Sequence, residues 1–195
     1  MEAVDSGSGG VFFLYGYGGT GKTFLWKTLC SAIRKRREIV FPVASSGIAS
    51  LLLPKGRTAH SRFGIPLLPD ETSMCRMGPG SDLAGLMKKT KLIIWDEAPM
   101  TNRFCFEALD RSLRDVMRGR EGRESDKPFG GLVVFFGGDF RQILPVVPKG
   151  SRQDIVHASI CSSRRIWDSV KVLKLTKNMR LQVYTTVFSF LEFLC

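Results

Sequence analysis

Long apolar runs are missing from this chain. None reaches the roughly 18–20 residues that a helix needs to cross a bilayer, so no membrane-spanning helix is expected. Cysteine is scarce and unpatterned. Cys30, Cys75, Cys105, Cys161 and Cys195 form no CxxC pair and are odd in number, which argues against a disulfide framework or a zinc site. It points instead to a reducing, intracellular setting. Two histidines, His60 and His157, are too few for a histidine-based metal centre. The opening MEAVDSGSGG has no basic stretch ahead of an apolar one, so it does not read as a secretory signal. Negative charge is also short: 18 acidic residues stand against 29 lysines and arginines, a formal net charge of +11. Such an excess favours a polyanionic partner, although from charge alone a solvated basic face explains it equally well. The basic residues are scattered and form no long amphipathic basic helix, which places a membrane surface behind nucleic acid as that partner.

What is present is globular in character, 44% apolar and 24% charged over 195 residues, a length that suits one well-buried domain. Short apolar runs alternate with stretches of helical spacing. VFFLYG (11–16), EIVFPVA (38–44), KLIIW (91–95), LVVFFG (132–137) and VKVLKL (170–175) read as strands. Helical spacing covers about 22–36, a short segment through IASLLL, and 104–117, where Phe104, Leu109, Leu113, Val116 and Met117 share a face. Residues 64–80, with three prolines and three glycines, read as a surface loop, and RGREGRESDK (118–127) as a charged one. Strands alternating with helices predict an α/β fold: a parallel sheet with helices on both faces, joined by right-handed crossovers.

The segment Gly16-Tyr17-Gly18-Gly19-Thr20-Gly21-Lys22-Thr23 meets every position of the G-x-x-x-x-G-K-[ST] pattern, between a buried strand and a helix start. Its glycines let successive N–H groups turn inward toward phosphate oxygens, and the helix N-terminus adds partial positive charge. Lys22 is placed to reach the β- and γ-phosphates of ATP, and the Thr23 hydroxyl to ligate Mg²⁺. Asp96 and Glu97 follow KLIIW at the carboxyl edge, where open parallel sheets bind ligands. An aspartate there can hold Mg²⁺, and a neighbouring glutamate can polarise the water that attacks the γ-phosphate. In GGDFRQILPV (137–146), Gln142 has an amide able to donate to that phosphate.

Taken in order, GYGGTGKT, SSGIASLLL, GRTAHSRFGIP, IIWDEAPM, GGDFRQILPV and LTKNMRL closely resemble the petite-integration-frequency family of superfamily 1B DNA helicases, in a variant similar to Helitron-type transposon helicases. The resemblance covers about residues 9–182. It implies a RecA-like P-loop NTPase lobe that uses ATP and Mg²⁺ and moves 5′→3′ on single-stranded DNA. It also implies a setting in DNA repair, recombination or telomere maintenance, and a location in the nucleus ahead of the mitochondrion. By that resemblance Gln142 is a γ-phosphate sensor, and Arg180 of LTKNMR contacts the γ-phosphate with a planar donor fork. Ser46, Gly47, His60, Ser61 and Phe63 are placed along the DNA path, with the His60 and Phe63 rings offering faces for bases to stack on; read without the resemblance, Phe63 is a core residue and His60 a satisfied surface one.

Nothing in the chain resembles the family's motifs V and VI, and an adenine-contacting glutamine motif ahead of the P-loop is absent. One lobe of two is therefore expected over residues 1–182, with VYTTVFSFLEFLC (183–195) as a divergent apolar tail. Two other readings stand beside the motor: a nucleic-acid-binding module with weak or no ATPase activity, and an unrelated P-loop kinase.

Overall fold

Alternating burial along strands explains the architecture of the computed structural model, which describes residues 2–78, 80–118 and 126–181. Most of the charged 118–127 stretch and all of the 183–195 tail lie outside the described residues. In β4 (Thr90–Asp96), Leu92 and Ile94 face one side of the sheet, and Ile93 and Trp95 the other. All four are fully buried, as period-two alternation requires of a strand covered on both faces. The α2 helix (Lys22–Lys35) packs Trp26, Cys30 and Ile33 on the first side, with Leu14, Val40 and Val133 from neighbouring strands. On the second side α6 (Arg103–Met117) packs Phe106, Leu109 and Leu113 over Phe13, Val43, Val134 and Phe136. The rings meet closely there: Trp95 lies 4.6 Å from Phe106 between centroids, and Phe106 lies 5.2 Å from Phe136.

Among the described residues one all-parallel sheet contains β1 (Gly10–Tyr15), β2 (Ile39–Ala44), β3 (Arg57–Thr58), β4, β5 (Val133–Gly138) and β6 (Val170–Lys174). Their spatial order is β3-β2-β4-β5-β1-β6, so β5 is inserted between β4 and β1. The five strands and two long helices read from the sequence are all present within two residues of their expected ends. The sixth strand, β3, was not expected. At two residues it is too short to carry a periodic signal, and its pairing with Val43 and Ala44 makes it a strand. The helices α5 (Asp82–Lys89) and α7 (Arg152–Ala158) were also not anticipated; their Ser81 and Ser151 caps are single-residue cues in polar surroundings.

A buried carboxylate stabilises the entry to β5. Asp110 of α6 is only 2% exposed. It accepts the Phe129 N–H at 2.6 Å and pairs with Arg114 at 3.0 Å and Arg165 at 3.5 Å. Phe129 itself has φ 55°, an unfavourable conformation for a bulky side chain, and this hydrogen bond helps hold it. We expect Phe136→Ala, which empties the centre of the α6-side aromatic cluster, to cost about 3–5 kcal/mol in urea unfolding. A loss under about 1 kcal/mol would mean that the cluster is not the core of this domain.

Candidate active site

The carboxyl ends of β1, β5 and β4 carry the candidate chemistry. After β1 the chain turns through Gly19 (φ 87°) and Gly21 (φ 93°), left-handed positions that glycine takes without strain, and enters α2 at Lys22. The loop is braced internally, with the Thr20 hydroxyl donating to the Tyr17 carbonyl at 2.8 Å. The buried Lys22 ammonium folds back over the loop and donates to the carbonyl oxygens of Gly16 and Tyr17. Thr23 follows, half-buried, on the first turn.

Asp96 ends β4. It is 4% exposed, and its Oδ1 has no hydrogen-bond partner among the described residues. Burial pushes its carboxyl up, partly offset by the nearby Trp26 indole, the Glu97 N–H and the Lys22 ammonium. The Trp26 N–H does not complete a hydrogen bond of its own. Glu97 sits at φ 54°, a left-handed conformation that turns the chain sharply after the strand. Burial and then the charge of Asp96 raise its carboxyl, Lys22 pulls it down, and Asp139 adds a smaller upward push. Asp139 lies one residue beyond β5, is 5% exposed and accepts the Arg141 N–H at 3.0 Å. The sequence reading passed over Asp139, although an acid at the end of a buried strand was the same cue that singled out Asp96.

The segment after β6 wraps onto the loop. Leu175 N–H donates to Tyr15 O at 2.8 Å and Met179 N–H to Gly19 O at 2.9 Å, and the Tyr17 hydroxyl donates to Thr176 O at 2.7 Å. These contacts bring Arg180 beside the glycine loop. One cleft of about 520 Å³ is therefore lined by Gly18 through Thr23 together with Asp96, Glu97, Gln142 and Arg180. Gly16 is not among its lining residues, and its carbonyl accepts from the Lys22 ammonium. Ala49, Leu52 and Met179 also line it and were not foreseen, because their contribution arises from how α3 (Gly47–Leu51) and the 175–181 segment approach the loop.

The five residues expected along a DNA path are placed less uniformly. Ser46 caps α3, accepting the Ala49 N–H at 3.1 Å, and Gly47 is exposed at that helix start. Ser61 is exposed on α4 (Ala59–Phe63). His60 is half-buried, with Nε2 3.6 Å from the Cys105 Sγ, and burial lowers its pKa. It lines a second cleft, of about 460 Å³, with Leu67, Leu68, Asn102 and Val146. Phe63 requires a correction. It is fully buried, 6.3 Å from the Phe41 ring and 6.2 Å from Trp95, so it offers no face to a base and serves the core instead.

A family model described as PIF1-like helicase matches residues 1–188. The chain belongs to this family. It is 32% identical over 140 residues to the ATP-dependent DNA helicase Pif1 of Psychrobacter sp. (strain PRwf-1), covering 71% of this chain and 20% of that protein. It is also 32% identical over 168 residues to the ATP-dependent DNA helicase PIF1 of Danio rerio, covering 86% and 24%. Among solved structures it is similar to a Pif1 helicase from Bacteroides in complex with ADP-AlF3 and single-stranded DNA. That match has a TM-score of 0.70 at 30% identity, covering 92% of this chain and 41% of the other. The chain thus spans between about a fifth and two fifths of the length of these relatives. The α/β fold of the PIF1-like chain is the RecA-like P-loop fold expected from its sequence.

Burial disfavours the ionised forms of Asp96 and Glu97, so the folded chain keeps their protons to higher pH than the unfolded chain does. Stability therefore falls as pH rises from the ordinary carboxylate range through the raised folded values, and the loss persists at neutral pH. Glu97→Gln removes its share. The variant is expected to melt above the native chain near neutrality, with the gap closing toward about pH 4. Thermal melts across that range check this, and equal melting at neutral pH would contradict it.

Proposed function

We propose that this chain is an ATP-hydrolysing RecA-like lobe of a DNA helicase, spanning residues 1–182 and acting on single-stranded DNA. The observation that carries the reading is the convergence of the glycine loop, Asp96, Glu97, Gln142 and Arg180 on one cleft. The names of the relatives support it, as does the complex of the Bacteroides protein with a nucleotide analogue and single-stranded DNA. Family resemblance further favours 5′→3′ movement, a role in DNA repair, recombination or telomere maintenance, and a nuclear location ahead of a mitochondrial one.

The donor set fits Mg²⁺. Asp96 Oδ1 is a buried carboxyl oxygen with no partner among the described residues, and Thr23 lines the same cleft. No group of three His, Cys, Asp or Glu able to hold a metal occurs among the described residues. Thr23 and Asp96 would hold Mg²⁺, which would supply neutralisation of phosphate charge when bound.

The chain's own groups divide the remaining work. Lys22 exchanges the carbonyls of Gly16 and Tyr17 for phosphate oxygens, beside the inward N–H groups of the loop. Glu97, with its raised carboxyl, accepts a proton from the attacking water as the water oxygen bonds to the γ-phosphorus and the bond to ADP breaks. Arg180 stabilises charge on the transferring phosphoryl group, and Gln142 senses its presence. Ser46, Gly47 and Ser61 offer hydroxyls and a helix start to phosphates of the strand, with His60 at the adjoining cleft. Strongly exposed Phe24, Ile48, Leu51 and Ile143 flank residues that line the ATP cleft. Exposed apolar side chains of this kind suit cover by a second lobe, and strand separation requires two lobes that open and close with each ATP.

The test is ATP hydrolysis at low salt, where phosphate contacts are strongest, with Mg²⁺ and with or without single-stranded DNA. We expect stimulation by DNA, loss of hydrolysis in Lys22→Ala, and a fall of about a hundredfold or more in Arg180→Ala. Equal inactivity of the native chain and Lys22→Ala would refute the enzyme reading and leave a binding module. Hydrolysis indifferent to DNA would refute the coupling.

A further inference from the structure

A cavity of about 470 Å³ opens between α6 and residues 162–166, at the start of α8 (Arg164–Trp167), and shares no lining residue with the ATP cleft. Five arginines line it: Arg103, Arg111 and Arg114 from α6, and Arg164 and Arg165 from α8. Among the described residues the lining itself holds two carboxylates, Glu107 and Asp110, and Glu71 reaches Arg103 from outside it. Asp110 is already engaged by Arg114, Arg165 and the Phe129 N–H, so it organises two guanidinium groups rather than cancelling the cluster.

Arg111 and Arg164 make no ion pair among the described residues. Arg111 is oriented by backbone carbonyls, donating to Ser73 O at 3.0 and 2.7 Å and to Asp70 O at 3.4 Å. Carbonyl dipoles aim a guanidinium without neutralising it. Arg103 donates to Ser162 O at 3.4 Å, and its ion pair with the largely exposed Glu71 is long, at 3.9 Å. Arg164 is exposed and makes no ion pair among the described residues.

We propose that this cavity is a second nucleic-acid contact, which grips phosphodiester groups away from the ATP cleft and from the α3–α4 surface. Three features select that ligand. From Arg103 to Arg114 the row extends about 16 Å along α6 at 1.5 Å per residue. A duplex strand carries a phosphate every ~3.4 Å of axis, so the row matches several successive charges rather than one mononucleotide. Guanidinium groups pair with phosphate oxygens through two parallel donors. Finally, Ile166 is the one aliphatic side chain in the lining among the described residues, whereas protein partners are anchored by buried apolar and aromatic groups.

The experiment measures binding of the whole chain to a short single strand and to a blunt duplex of equal length, by fluorescence anisotropy over a salt series. Native protein is compared with Arg164→Gln and with the double variant Arg111→Gln/Arg164→Gln. The slope of log affinity against log salt should fall by about 0.9 per arginine for duplex, or about 0.7 for a single strand, which also tells the two sources apart. Unchanged slopes in both arms would overturn the proposal. So would tighter binding of polyglutamate than of DNA that is lost in the same variants, since the ligand would then be an acidic protein. If the double variant melts early, Arg164→Gln alone decides, because Arg164 is exposed and unpaired among the described residues. Repeating the series in Lys22→Ala separates this site from the nucleotide reading: the arginine-dependent slope survives there whether or not ATP is hydrolysed.

Discussion

The approach of Trp26 to Gly137 sets the depth of the whole site. A Cβ on Gly137 would run into the Trp26 ring and lie 3.1 Å from Asp96 Oδ1, so the helix, the inserted strand and the acid-bearing strand fit only with hydrogen at that position. Trp26 is fully buried on α2, whose first residue is Lys22. The same contact that packs α2 on the sheet thus fixes the distance between the glycine loop at one end of that helix and the carboxylates beyond β4. The electrostatic environment follows from it. Asp96 and Glu97 are held in poor solvation, Glu97 feels the charges of both Asp96 and Asp139, and Lys22 is the cation that acts on the pair.

The sequence was most informative where a physical requirement is local. A glycine loop between a strand and a helix, an acid pair ending an apolar run, and apolar alternation in strands are contiguous patterns, and each lies where it was expected. Conserving those patterns does not reveal distant neighbours. Phe63 was placed on the DNA path by the resemblance of its segment, and β2 and β4 passing beneath α4 bury it. Asp139 carries the same local cue as Asp96, and what the sequence alone does not show is that its charge reaches Glu97 from a different strand. The two-residue β3 and the contributions of Ala49 and Leu52 to the cleft likewise depend on contacts far apart in sequence.

Ser45 joins the acid-bearing strand to the start of α3. Its N–H donates to Asp96 O at 3.1 Å, and its hydroxyl accepts from Trp95 Nε1 at 2.9 Å and from the Thr101 hydroxyl at 2.7 Å. Ser46 and Gly47 follow directly. A displacement of the Asp96 backbone therefore reaches α3 through one residue and its hydrogen bonds, without a flexible linker to absorb it.

The wrapping of residues 175–181 has a related geometric meaning. Because Met179 N–H is held by the Gly19 carbonyl and Thr176 O by the Tyr17 hydroxyl, the arginine two residues from Thr176's far neighbour Asn178 is not carried by an independent arm. Its backbone moves with the glycine loop, which makes loop shape and arginine position a single mechanical coordinate. The amide proton of Met179, locked in that bond, is then a natural reporter: its rate of exchange with solvent reads how often the coordinate is released.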